Sequence, residues 1–511
     1  LDRASLSLSE DTPIDATLTT PPSGHELKKE LRLRDLVQMQ ILLVVGVTWI
    51  GIAAKQGGVH LVFWLAAILT LFLPSAAVVT YCVQIWPEEG GVYQWTTHAF
   101  GPLAGFLNAW NFGLWALITV SNIGIMFATS LAYSLGDKYA WIANSNSLIN
   151  TFNITLFAII LVLCVVGFRI LKWVAHFGTF CMILVNILLV GLLFFHPHAT
   201  RLHPHHAPQA PFSLALTIPM LTLFSLNLFS KMALNGLTGL EQIAVFAGET
   251  RDAARAIWHS AWIAAPIIAL IFILGTGAIL TYIPADQIDL TGPVPQVLAA
   301  AFGGGGATAG INWGLMLGRG AILALAISVV AQYALIISET SRLPMVAGWD
   351  GILPEWFSRL SPRFGTPVRS IVIIVSVSVA ACILATQFSS GAQEAFQLIT
   401  VEAAFLYDIY FAMMFLIPLT VGSRFGKPAG PGLKIAAAMG LSVTVIHAVF
   451  SMYPIIDIRN PIAFAEKIGF AAVVVNVAGG ALYWQARRAT HSRLAAIEAG
   501  GNEPADPGFF V

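Results

Sequence analysis

The sequence predicts an all-α polytopic membrane protein of twelve transmembrane helices. They form a five-plus-five inverted repeat with broken first and sixth helices, followed by two extra C-terminal helices. Three observations predict this. The 511 residues are 57% hydrophobic and only 10% charged, whereas soluble domains run near a quarter charged. Apolar runs of about 20 residues, the length a helix needs to cross a bilayer, recur along the whole chain. Lys and Arg cluster on alternate sides of those runs, in register with a count of twelve.

Residues 1–30 are polar, rich in Ser, Thr and Pro, and read as a disordered cytoplasmic tail that ends in a basic lead-in. Apolar spans then follow at 36–56, 60–85, 103–134, 149–167, 173–195, 215–246, 257–283, 311–340, 367–387, 397–420, 434–453 and 466–486. The third is too long for one crossing, so it tilts or extends beyond the membrane. With the N-terminus cytoplasmic, 19 Lys and Arg fall on the inner side and 4 on the outer side; Lys55, Lys231 and Arg319 lie at or near membrane depth. That bias places both termini in the cytoplasm of a multi-pass protein of the inner or plasma membrane. The predicted division is a first five-helix repeat at 31–195, an extracellular His/Pro loop at 196–214, a second, inverted repeat at 215–420, helices 11 and 12 at 421–488 and a cytoplasmic tail at 489–511. Cys82, Cys164, Cys181 and Cys382 all fall inside apolar runs and read as buried thiols, not as a disulfide framework.

Two spans are interrupted at their centres. The first reads "ILLVVGVTWIGIAAKQGG", the sixth "LNLFSKMALNGLTGLEQ". Glycine weakens a helix by about 1 kcal/mol relative to alanine, and a backbone group left open in hydrocarbon costs several kcal/mol. Broken helices at that depth line cavities: their half-helix N-termini attract carboxylates, and their free carbonyls accept from ammonium groups. The competing reading is close helix packing through small residues. The breaks lie five spans apart, and an odd repeat length inverts the second copy in the membrane.

Four stretches then resemble the amino acid–polyamine–organocation transporter superfamily, over roughly residues 30 to 490. They are "EEGGVYQWTTHAFGPLAGF" after span two, the glycine of "VVGFRILKW" opening span five, "GLEQIAVFAGETRDAARAI" after the sixth break, and "SETSRLPMVAGWDGILPEWFSRLSPRFGTPVRS" ending span eight. The doubled acid and the spacing of Arg319 from Arg342 are similar to the glutamate/γ-aminobutyrate antiporters. The resemblance implies a LeuT-like repeat with a midplane substrate site. Two departures stand out: "VVGVTWIG" replaces the family's usual Gly-Ser-Gly break, and span five carries no lysine in place of a sodium ion. The second departure favours exchange over proton coupling through such a lysine.

Candidate substrate-binding residues are Gly46, Val47, Thr48 and Trp49 in the first break, and Asn235, Gly236 and Gly239 in the sixth, with Lys231 one helical turn before Asn235. Lys231 and Lys55 could draw an anionic substrate into an outer vestibule; snorkelling is the alternative for both. Candidate gating or coupling residues are Glu241, Glu402, Asp408 and Gln332. The resemblance makes Glu241 a gate, against the plainer reading of a hydrogen bond to the broken helix. Glu402 and Asp408 could pair with Lys231, relay protons or hold a substrate amine. Asn111, Trp115 and Tyr333 could line the cavity. Glu249, Asp252, Arg255, Glu339 and Arg342 could form an inner gate of ion pairs.

The expected function is secondary active transport of amino acids by alternating access, with acidic amino acids or γ-aminobutyrate as candidate substrates and exchange as the mode. The alternative is a proton-coupled uptake permease for amino acids or polyamines. No phosphate loop is legible, because "GGGGATAG" lacks the Lys-Ser/Thr such a loop requires; no enzyme activity and no cofactor or metal are expected. The expected partners are a small amino acid or amine and the lipid bilayer. The zero formal charge points to no nucleic acid.

Overall fold

The computed structural model describes residues 31–86, 91–194, 216–243, 250–302, 312–346, 352–353, 355–389, 391–421, 428–455 and 460–498. Among them the regular structure is helical, apart from an isolated bridge where the Arg251 amide donates to the Leu31 carbonyl at 3.1 Å. The N-terminal tail and the His/Pro loop lie outside the described residues.

The first span is two helices, α1 (Leu33–Val44) and α2 (Val47–Ala54), bent by 46°. The second joins α3 (His60–Ala67) to α4 (Leu73–Ile85) through a π-helical turn at Ile68–Phe72. Pro74 accounts for that turn: it offers no N–H to the preceding turn, and its ring needs the extra room that a wider turn supplies. A short α5 (Val92–Phe100) precedes the long third span, which is α6 (Pro102–Thr119) and α7 (Ile123–Leu135) joined by one 3-10 turn. Next come α8 (Asn146–Val166), α9 (Phe168–Gly191), α10 (Leu223–Leu237), α11 (Ala253–Tyr282), α12 (Pro293–Phe302) and α13 (Trp313–Val346). The chain continues through α14 (Glu355–Ser358), α15 (Val368–Gln387), α16 (Ala392–Thr420), α17 (Pro431–Ser451) and α18 (Pro461–Glu498).

Ten helices among the described residues are long and apolar enough to cross a bilayer, and the bent pair α1–α2 makes up to eleven. The 15 residues of α10 span about 22 Å, short of a hydrocarbon core about 30 Å thick. It stops where the sixth predicted span is interrupted, and residues 244–249 beyond lie outside the described residues. The short helices α5 and α12 have no counterpart in the predicted spans. α18 continues as helix to Glu498, past the expected start of the C-terminal tail at 489.

Packing explains which faces are wet, dry or in lipid. α13 runs along α9, α16 lies against α6 and α17, and α1 packs on α9 and α11. The buried core includes Trp64, which stacks on Phe272 at 4.8 Å and donates its indole N–H to the Thr276 hydroxyl at 3.0 Å. On α9 the exposed residues Trp173, Phe177, Phe180, Leu184 and Ile187 recur every three or four positions. An apolar stripe of that size faces lipid, not water. The chain is a multi-pass membrane protein.

Candidate functional site

The first break begins at Val45 and Gly46, which leave the helical region for extended angles. The Gly46 amide donates to the Val44 carbonyl at 2.8 Å, so the carbonyls of Leu42 and Leu43 lose their partners four residues on. Gln332 of α13 supplies the replacement: its Nε2 donates to Leu42 at 2.6 Å and to Leu43 at 2.9 Å. Gln332 is thus a strut for the break. The Trp49 indole folds over Gly46, and a Cβ there would come within 2.5 Å of Nε1. Thr48 is buried beside it.

The sixth break follows Leu237. Gly239 sits at φ +119°, a conformation that L side chains rarely adopt. The two breaks touch: a Cβ on Gly239 would meet Val44 at 2.8 Å, and one on Gly236 would meet Trp64 at 3.2 Å and Trp49 at 3.5 Å. The glycines therefore serve the break and the close packing together. Glu241 folds back on this turn. Gly239 N–H donates to its two oxygens at 3.1 and 3.3 Å, and the Tyr407 hydroxyl of α16 donates to Oε1. Gln242 Nε2 donates to the same hydroxyl at 3.3 Å.

Lys231 lies in the interface between α10 and the end of α17. It is 4% exposed, and its ammonium donates to Asn227 Oδ1 at 2.7 Å and to the Phe450 and Tyr453 carbonyls at 2.9 and 3.1 Å. Those carbonyls end α17, where a cation is favoured by the helix dipole. Asp408 pairs with His447, whose Nδ1 lies 2.8 Å from both carboxylate oxygens. Asn235 Nδ2 reaches His447 Nε2 at 3.1 Å and donates to the Lys231 carbonyl at 3.1 Å. An amide NH₂ only donates, so Nε2 accepts and the proton on Nδ1 faces Asp408. Lys231 and Asp408 attract one another electrostatically without a direct ion pair. Glu402 is half-buried on α16 and forms no hydrogen bond or ion pair with Lys231 or Asp408. Sequence reasoning missed His447; a histidine in an apolar span was the available signal.

A second carboxylate lies near Glu241. Glu339 of α13 is 0% exposed, and neither oxygen has a hydrogen-bond partner among the described residues. Glu241 and Tyr410 are within its electrostatic reach. The wall here is aromatic: Phe112 and Trp115 of α6 meet Tyr410 and Tyr407 of α16 at centroid distances of 4.7 and 4.5 Å. The residues of the expected inner gate are only partly described. Asp252 and Arg255 are exposed, Arg342 is buried and donates to Ser338, and Glu249 lies outside the described residues.

Other candidates are spread out. Asn111 and Asn476 exchange amide hydrogen bonds at 2.7 and 3.1 Å, which joins α6 to α18. The Tyr333 hydroxyl donates to Asn122 at 2.7 Å. Arg319 Nε donates to the Ser134 carbonyl at 2.9 Å. Lys55 caps α2 outside the spans; burial pushes its ammonium below the ordinary value, against the pull of Asp286 and Asp289. A narrow apolar cavity opens beside Val47, walled by Met126, Ser130, Pro295 and Val329, with no charged lining residue. Among the described residues no three His, Cys, Asp or Glu side chains are grouped to hold a metal ion.

The amino acid permease family model matches residues 31–475. The chain belongs to the amino acid permease family. An uncharacterized transporter of Legionella pneumophila is 26% identical over 410 residues, covering 79% of this permease and 83% of that protein. The low-affinity putrescine importer PlaP of Escherichia coli is 24% identical, covering 71% and 76%. The probable agmatine/putrescine antiporter AguD of Lactococcus lactis is 20% identical, covering 86% and 92%. Membership of that family makes this chain a membrane transporter.

Proposed function

We propose that this permease carries small amines and amine-bearing amino acids by alternating access. It would work as a twelve-span protein with both termini cytoplasmic, and with the first and sixth breaks as the substrate cradle of an inverted repeat. The observation that carries the substrate class is the charge beside the breaks. Glu241 and Glu339 are buried carboxylates there, whereas the ammonium of Lys231 is occupied by three oxygen acceptors. An ammonium-bearing substrate finds complementary groups in this cradle. Lys231, one of the features behind the expectation of an acidic substrate, is engaged by oxygen acceptors instead. The putrescine and agmatine carriers among the relatives support the same class.

Exchange is the preferred mode, and proton-coupled uptake is the second reading. The buried Asp408–His447 pair, bonded to Asn235 beside the sixth break, favours the second because it offers a proton site next to the cradle. Labelled 1,4-diaminobutane entering reconstituted vesicles tests the proposal. Acceleration by unlabelled amine inside supports exchange. Uptake into empty vesicles under an imposed proton gradient supports coupling. Labelled glutamate entering in place of the amine would overturn the substrate class.

A further inference from the structure

Glu339 stands apart from every other buried acid near the breaks. Glu241 is engaged by the Gly239 amide and the Tyr407 hydroxyl, and Asp408 by His447. Both Glu339 oxygens are fully buried and have no partner among the described residues. Burying an unpaired carboxylate is among the least favourable arrangements a protein can adopt. Protonation removes the charge but leaves a hydroxyl donor and an acceptor still unmet. The arrangement becomes favourable when a hydrogen-bond-donating cation enters.

We propose that Glu339 is the receptor for a substrate's distal ammonium group, which makes the site selective for diamines and for amino acids with a charged side-chain amine. The proposal rests on the amine-transport reading above and says where discrimination arises. An alkylammonium brings three donors to an acceptor-only carboxylate. Tyr410 interacts electrostatically with both Glu339 and Glu241, and the Phe112 and Tyr407 rings lie 4.7 and 5.4 Å from the Tyr410 ring, centroid to centroid. Aromatic faces next to a desolvated cation add a favourable cation–π contribution. Glu241 is already tied to the break, so its carboxylate responds to the state of the turn; Glu339 is held on α13 and answers to the ligand. The neutral alternative, in which Glu339 only stores a proton, predicts no preference among amines.

The test compares 1,4-diaminobutane with n-butylamine, which lacks the distal ammonium, by competition binding to the purified full chain and its variants. In the wild type the diamine binds more tightly. Glu339→Gln keeps the shape and removes the charge, and is expected to weaken the diamine at least tenfold and the monoamine much less, so that the two converge. Glu339→Asp restores the charge and part of the preference. Lysine competing better than the diamine assigns the same carboxylate to the side chain of a cationic amino acid, which agrees with the proposal. Equal weakening of both amines by Glu339→Gln, or no weakening, overturns it. Wild-type protein that binds neither amine while binding a neutral or acidic amino acid removes the amine reading itself, and this inference with it. A thermal melt of each variant separates lost binding from lost fold.

Discussion

Val44 and Gly239 hold the two broken helices together. The glycine's left-handed φ of +119° turns the sixth span, and a Cβ at that position would come within 2.8 Å of the valine's Cγ2. Gly239→Ala is therefore strained twice, by conformation and by contact. The conformational part alone is about 1–3 kcal/mol. The expected result is a lower melting temperature in detergent and loss of uptake. Gly236→Ala meets Trp64 at 3.2 Å and should be milder. A Gly239→Ala protein that melts and transports like wild type would contradict the fold of the break.

Gln332 braces the first break through the Leu42 and Leu43 carbonyls. Gln332→Leu keeps the apolar stem and strands two acceptors in the membrane interior. Leaving a buried acceptor unmet costs about 1–3 kcal/mol. A melting temperature lowered for the empty protein, with the order of substrate preference retained, is expected. If substrate preference changes while stability does not, Gln332 acts on the ligand and not on the backbone.

Lys231 distinguishes an anchor from an anion trap. Its acceptors lie on its own helix and at the end of α17, so Lys231→Met should loosen α10 from α17 and destabilise the protein by about 2 kcal/mol, within the range for hydrogen bonds to charged groups. Uptake of every transported amine and amino acid should fall by the same factor. Selective loss of acidic substrates alone would return the lysine to the substrate path.

Tyr407→Phe removes one donor from Glu241 while keeping the aromatic ring beside Tyr410. The Glu241 carboxylate then keeps only backbone donors among the described residues, the Gly239 amide among them. The maximal exchange rate should change several-fold, with KM within about twofold, because uniform binding is untouched while a conformational step is altered. A change confined to KM would place Tyr407 on the substrate.

The glycines, the interruptions and the apolar lengths carried the helical membrane fold and both breaks in the sequence, because each is a local property. Partners distant in the chain were not legible. Lys231 read as a vestibule cation because its carbonyl acceptors, at Phe450 and Tyr453, lie more than two hundred positions away. Asn111 read as a cavity residue, and its partner Asn476 belongs to the last helix. Glu339 read as part of an inner gate beside Arg342; its complete burial is a tertiary property that no spacing along α13 reveals. The short helices α5 and α12 lack the length that marks a crossing.

Counterflow tests the central claim most directly. Vesicles containing the purified protein are preloaded with unlabelled 1,4-diaminobutane, diluted, and given a trace of the labelled amine. The account predicts a transient accumulation of label above equilibrium, abolished in Gly239→Ala vesicles. Label that never exceeds the uptake of protein-free vesicles, with or without a proton gradient, would contradict an amine carrier built on these two breaks.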